Sequence, residues 1–112
     1  MSYDIHLEID VDTGGPDPYR AYPADVGNYT SNVSGMWAEA LGYPLANLDG
    51  RRAREHAAAL QLAVDDMEYR KAHYQAMSPS NGWGGYDGAL HYLRKLAQAC
   101  TAHPNATIRI SR

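Results

Sequence analysis

The sequence contains a single cysteine, Cys100, and no phenylalanine. One thiol cannot close a disulfide within the chain, so stability has to come from packing, and a reducing compartment suits it. Long apolar runs are also missing. No stretch approaches the roughly 18 residues of a membrane-spanning helix. The opening Met1-Ser2-Tyr3-Asp4 lacks the basic region and apolar stretch of a secretion signal. The expected setting is a cytoplasm, with no membrane partner. Basic charge is scarce too: 10 Lys and Arg stand against 13 Asp and Glu, for a formal net charge of −3. Binding to nucleic acid depends on clustered cations that neutralise phosphates. The densest basic spots, Arg51, Arg52 and Arg54, then Arg94 and Lys95, fall in helical patterns with acidic neighbours. Nucleic acid is therefore not expected as a partner.

Signatures of chemistry are equally sparse. The five histidines form no His-x-His or His-Glu-x-x-His arrangement, and there is no Gly-x-Ser-x-Gly or Gly-Lys-Ser/Thr. Neither a metal site, a nucleophile elbow nor a phosphate loop is signalled, and no cofactor is implied. Asp87 and His91 stand four apart in a helical pattern without an accompanying nucleophile. A surface pair is the simpler expectation for them.

What is present describes one domain of 112 residues, with ordinary apolar and charged fractions of 45% and 21%. Tyr3, Ile5, Leu7, Ile9 and Val11 alternate with Asp4, His6, Glu8, Asp10 and Asp12. That period of two predicts a strand with one buried and one wet face. A breaker loop, Thr13 to Pro18, follows, and Val26–Thr30 is expected as a short strand. A short helix is expected over Ser34–Leu41, capped by Asn32 or Ser34 and closed at Gly42. Asp49 is a candidate cap for a long helix over Arg51–Met77, whose apolar row is Ala53, Ala57, Leu60, Val64, Met67 and Tyr74. A third helix is expected over Asp87–Ala102, with Leu90, Leu93, Leu96, Ala97 and Cys100 inward, and a last strand over Ala106–Arg112. The fold class is α+β: a small antiparallel or mixed sheet including both termini, with three helices packed on one face. In that sheet Arg109 would pair with Glu8 or Asp10 across the wet face.

Two segments mix polar side chains with aromatics. Asn28, Tyr29, Thr30, Ser31, Asn32, Val33 and Ser34 offer amides and hydroxyls just before a helix. Such groups suit a polar neutral ligand, and they also cap helices and form turns. The loop Asn81-Gly82-Trp83-Gly84-Gly85-Tyr86-Asp87-Gly88 sets glycines and two aromatics before a helix N-terminus. Backbone N–H groups there could meet an anion, while Trp83 and Tyr86 could stack on a ring. The alternative is a wide turn with Trp83 plugging the edge of the core. The nine tyrosines serve equally as core aromatics or as half-buried binding groups.

Three stretches carry a resemblance: Ser2-Tyr3-Asp4-Ile5, Gly27 to Trp37, and Asn81-Gly82-Trp83-Gly84. Together they resemble small uncharacterised proteins of actinobacterial phages and their hosts. The resemblance implies a bacterial host cytoplasm and no particular mechanism. The expectation that joins these strands of argument is a non-catalytic protein that binds a small, nucleotide-like ligand, such as a phage accessory protein sequestering a host signal. Its site would be Asn28, Tyr29, Thr30, Asn32, Asn81, Trp83 and Tyr86. The alternatives are a module that binds a host protein or forms a homo-oligomer, and a small enzyme built from a spatial cluster of distant residues.

Overall fold

The computed structural model describes residues 1–112. β1 (Ser2–Val11) is the central strand of an antiparallel sheet, flanked by β2 (Tyr19–Thr30) and β3 (Thr107–Ser111). Both terminal segments thus share one sheet. Tyr3, Ile5 and Leu7 of β1, Val26 of β2 and Ile108 of β3 are buried, as the alternation demands. The chain continues through α1 (Ser34–Leu41), α2 (Ala53–Tyr69), α3 (Lys71–Gln75) and α4 (Tyr86–Ala102). These helices cover the apolar face of the sheet and leave the other face wet.

β2 is longer than the expected Val26–Thr30. Pro23 argues against a strand, but it lies on the sheet edge and in a register shift, where Tyr22 and Pro23 together oppose Glu8. A proline is tolerated at such a place because no ladder hydrogen bond is lost. A second shift inserts Val26 opposite the Ile5–His6 step and turns it into the core. The outer edge of β3 is covered instead of bulged. Gly50 N–H donates to the Ile108 carbonyl and Ile108 N–H to the Arg51 carbonyl, both at 2.8 Å.

Two expected caps are not formed. The Asp49 carboxylate accepts from Ile110 N–H at 2.9 Å, so it secures β3, and α2 starts after Arg52 with no side-chain cap. Neither Asn32 nor Ser34 caps α1, because a 3-10 turn at Ser31–Val33 feeds directly into it. The predicted long helix also divides. Arg70, at φ −101° and ψ 43°, separates α2 from α3. Its guanidinium donates to both oxygens of Asp66 and, at 3.0 Å, to the Tyr74 hydroxyl, which in turn donates to Asp66. Glu39 of α1 comes within 3.6 Å of His73 and 4.0 Å of Arg70. Asp66 and Tyr74 each stand four residues from Arg70, as they would in a continuous helix, and Glu39 lies on another helix, so the helix period gives no sign of the interruption. Burial, reinforced by the neighbouring Asp66, pushes the Tyr74 hydroxyl up to about 12.

Trp37 centres the core. Its indole N–H donates to the Ala89 carbonyl of α4 at 3.0 Å, and its ring meets Tyr3 edge-on at 5.2 Å and Tyr92 at 5.5 Å. The absence of phenylalanine now has a structural counterpart. Tyr86 donates to the Met67 carbonyl and Tyr92 to the Gly27 carbonyl, each at 2.7 Å. One carbonyl lies near the end of α2 and the other beside the register shift of β2. Cys100 is wholly enclosed as a small apolar residue, and burial pushes its thiol up to about 11.

On the wet face, Glu8 is only 8% exposed, and Arg109 Nε donates to it at 2.8 Å. That bond holds the Glu8 carboxyl below its usual range despite the opposing effect of burial. Asp10 instead takes Arg20 at 3.1 Å. A carboxylate whose folded-state pKa is depressed contributes stability above its unfolded value, and loses it as pH falls. We therefore expect the gap in urea midpoint between the wild type and Glu8→Gln to be widest near neutral pH, and to close below about pH 3. A gap that stays constant between pH 7 and 3 would contradict this role for Glu8.

Candidate functional site

The two polar-aromatic segments meet. The end of β2 runs into the 3-10 turn at Ser31–Val33, and the 78–85 loop folds back over both. Asn28, Thr30, Asn32 and Trp83 line one open cavity of about 490 Å³, together with Met1 and Ser2. Alternation along β2 sorts the residues. Asn28 and Thr30 point to the wet face, where their partners in β1 are Asp4 and Ser2. Tyr29, between them, points the other way.

Tyr29 therefore lies under the site and not in its wall. Its ring stacks on Tyr92 at 5.9 Å and touches Trp37 at 6.3 Å. Its hydroxyl accepts from Gly85 N–H at 3.2 Å. The loop glycines are explained by this contact. A Cβ at Gly88 would come within 2.0 Å of the Tyr29 hydroxyl, and one at Gly84 within 2.5 Å of the Thr30 methyl. Gly84 also holds φ +83°, where a side chain is strained. The loop is thus built of glycine so that its backbone can close on β2.

Two further expected site residues stand apart from the cavity. Tyr86 is buried, with its hydroxyl spent on Met67. Asn81 accepts from Trp83 N–H at 2.9 Å, an Asx turn that shapes the loop. Trp83 itself does not plug the core. Its side chain is 69% exposed, and the turn stands it against the cavity. Met1 and Ser2 were not expected in the wall. Pairing of β1 with β2 brings them there, and Asn28 Nδ2 donates to Ser2 Oγ at 2.8 Å.

The helix N-terminus contributes less than the sequence suggests. Gly85 N–H is taken by Tyr29, and Tyr86 N–H donates to Ser78 Oγ at 3.2 Å. Ala89 N–H already bonds within the helix, to the Gly85 carbonyl. Asp87 adds a negative charge to the first turn. Beyond the cavity, along the same wet face, Asp4, His6, Tyr22 and Asp25 border a second depression of about 370 Å³. Nowhere in the chain do three His, Cys, Asp or Glu side chains gather as a metal-holding group. No helix is long and apolar enough to cross a membrane. No protein-family model, curated protein or solved structure matches the chain.

Alanine in place of a helical glycine normally stabilises by about 1 kcal/mol. At Gly88 the sign should reverse, because the methyl group must displace Tyr29. Gly88→Ala should cost about 1–3 kcal/mol in urea unfolding. The same change made in a Tyr29→Ala background should be neutral or stabilising, which gives a clear coupling in the double-mutant cycle. Equal costs in both backgrounds would refute the seating of Tyr29.

Proposed function

We propose that this chain is a non-catalytic binding protein for a small, nucleotide-like ligand, acting as a phage accessory protein that sequesters a host signal in the bacterial cytoplasm. The observation that carries the reading is the convergence of Asn28, Thr30, Asn32 and the exposed Trp83 on one cavity. The cavity has the volume of a small-molecule site. Its wall provides amides, hydroxyls and an indole, with no carboxylate, imidazole or thiol to carry out a reaction. Trp83 would stack on the ring of the ligand, and Asn28, Thr30 and Asn32 would read its edge. Tyr29 and Tyr86 would act from beneath, by fixing the loop.

A second reading, a module that binds a host protein or a second copy of itself, draws on the β1–β2 hairpin. The molecule measures 52 × 26 × 18 Å, and every residue from Asp10 to Arg20 is exposed. Val11 and Tyr19 extend the apolar row of the sheet past the helices, at 41% and 64% exposure. Pro23 and the register shifts blunt the β2 edge itself, so this reading uses the face of the hairpin.

Native mass spectrometry of the purified protein tests both. The first reading expects a co-purifying small molecule that Trp83→Ala loses. Stacking on an aromatic contributes about 1–3 kcal/mol per base, so the affinity should fall about tenfold or more. A bound molecule retained at full affinity by Trp83→Ala would overturn this site. A discrete oligomer that Tyr19→Ser dissociates, in a spectrum free of small molecules, would favour the second reading.

A further inference from the structure

We propose that the end of β1 captures the carboxyl end of an extended peptide, which adds to the sheet in line with β3. The first observation is an open strand edge. Along β3, Ile108 and Ile110 turn their N–H groups outward, to the Arg51 carbonyl and the Asp49 carboxylate. Thr107 and Arg109 therefore face β1, where their partners are Glu8 and His6. The next residue of that row is Asp10. β3 begins at Thr107, so no strand stands opposite Asp10 on this side. Ile9, Asp10 and Val11 pair with β2 alone, which leaves the Asp10 N–H and C=O directed outward. Asp10 and Val11 are exposed.

The second observation is a pair of cations at the same place. Ile9, Asp10, Arg52, Arg54, Asn105 and Thr107 line a depression of about 340 Å³. Arg54 donates to Asn105 Oδ1, and neither Arg52 nor Arg54 forms a salt bridge. The nearby carboxylates are already engaged, Asp10 by Arg20 at 3.1 Å and Glu8 by Arg109 at 2.8 Å. The path of the chain fixes the direction of a guest. The 103–106 turn, closed by Ala106 N–H on the His103 carbonyl at 3.1 Å, stands at the start of β3 and blocks a strand that would run on along β1. An added strand has to end there. A parallel strand would bring its terminal ammonium to Arg52 and Arg54, which repel it. An antiparallel strand brings its carboxylate. Opposite Asp10, the last residue donates its N–H to the Asp10 carbonyl, and its carboxylate accepts from Asp10 N–H and from the two guanidiniums. The penultimate side chain then turns to the apolar face, beside Ile9 and Val11. Backbone bonds supply affinity, and the arginines select a free chain end.

The test records ¹⁵N spectra of the full chain with hexapeptides of the form Val-Thr-Val-Thr-x-Ser, where x is Val, Leu, Ile or Phe. At least one should shift the Asp10 backbone amide along a saturating curve, while the Trp83 indole stays still. Amidation of its carboxyl end should weaken binding about tenfold or more, as expected for the loss of a hydrogen bond to a charged group. Arg52→Gln combined with Arg54→Gln should weaken the free acid by a similar factor and leave the amidated peptide unchanged. Methylation of the last peptide nitrogen removes the donor to Asp10 and should abolish the shift. No shift by any of the four peptides at millimolar concentration overturns the inference. So does an amidated or N-methylated peptide that binds as tightly as the free acid.

Discussion

The site depends on one close approach, the seating of Tyr29 beneath the backbone of Gly84, Gly85 and Gly88. A side chain at Gly88 would overlap the Tyr29 hydroxyl, and that hydroxyl accepts the Gly85 N–H. The contact joins the end of β2 to the start of α4 and pins the loop between them. Everything outward of it follows. Asn28 and Thr30 are turned to the wet face because Tyr29 is turned to the core, and Trp83 is held over them by a loop that cannot lift without unseating Tyr29. Inward, the same ring packs on Trp37 and Tyr92, so the residue that pins the loop is part of the aromatic centre of the core.

Tyrosine in place of phenylalanine serves this arrangement. A phenyl ring at position 29 would fill the space but leave Gly85 N–H without its acceptor. Phenyl rings at 86 and 92 would leave the Met67 and Gly27 carbonyls without their donors. Losing a hydrogen bond to a buried backbone group typically costs about 1–3 kcal/mol. The interior is therefore sewn to irregular backbone at the places where regular ladders end. The glycines and the tyrosines are two halves of one solution, with backbone brought close and a hydroxyl waiting for it.

Much of the fold was legible from periodicity. The alternation in β1 and β3 and the apolar row of α4 each mark a buried face, and the pairing of Arg109 with Glu8 follows from the charges on the opposite one. Local pattern fails where distant side chains decide. Pro23 hides the first half of β2, although an edge position makes it harmless. At Arg70 the partners Asp66 and Tyr74 keep helix spacing and Glu39 comes from α1, so the period of the sequence runs on through the break. In the site, the meeting of the two polar segments was legible, but the membership of its wall was not. Alternation, applied through Val26–Thr30, separates Tyr29 from Asn28 and Thr30. Extending the α4 row back by one turn buries Tyr86, and the Asn81-Gly82 pair is itself a turn signal. Ser2 needed the pairing of β1 with β2 to be known first.

The central claim is that Asn28, Asn32 and Trp83 act together on one ligand. The most direct measurement is a two-dimensional ¹⁵N spectrum of the protein recorded while a nucleoside is added. The account predicts that the side-chain amides of Asn28 and Asn32 and the indole N–H of Trp83 shift together along one saturating curve, while the Trp37 indole stays still. Shifts confined to the hairpin between Val11 and Tyr19, or side-chain signals of the site that remain fixed at saturating nucleoside, would contradict it.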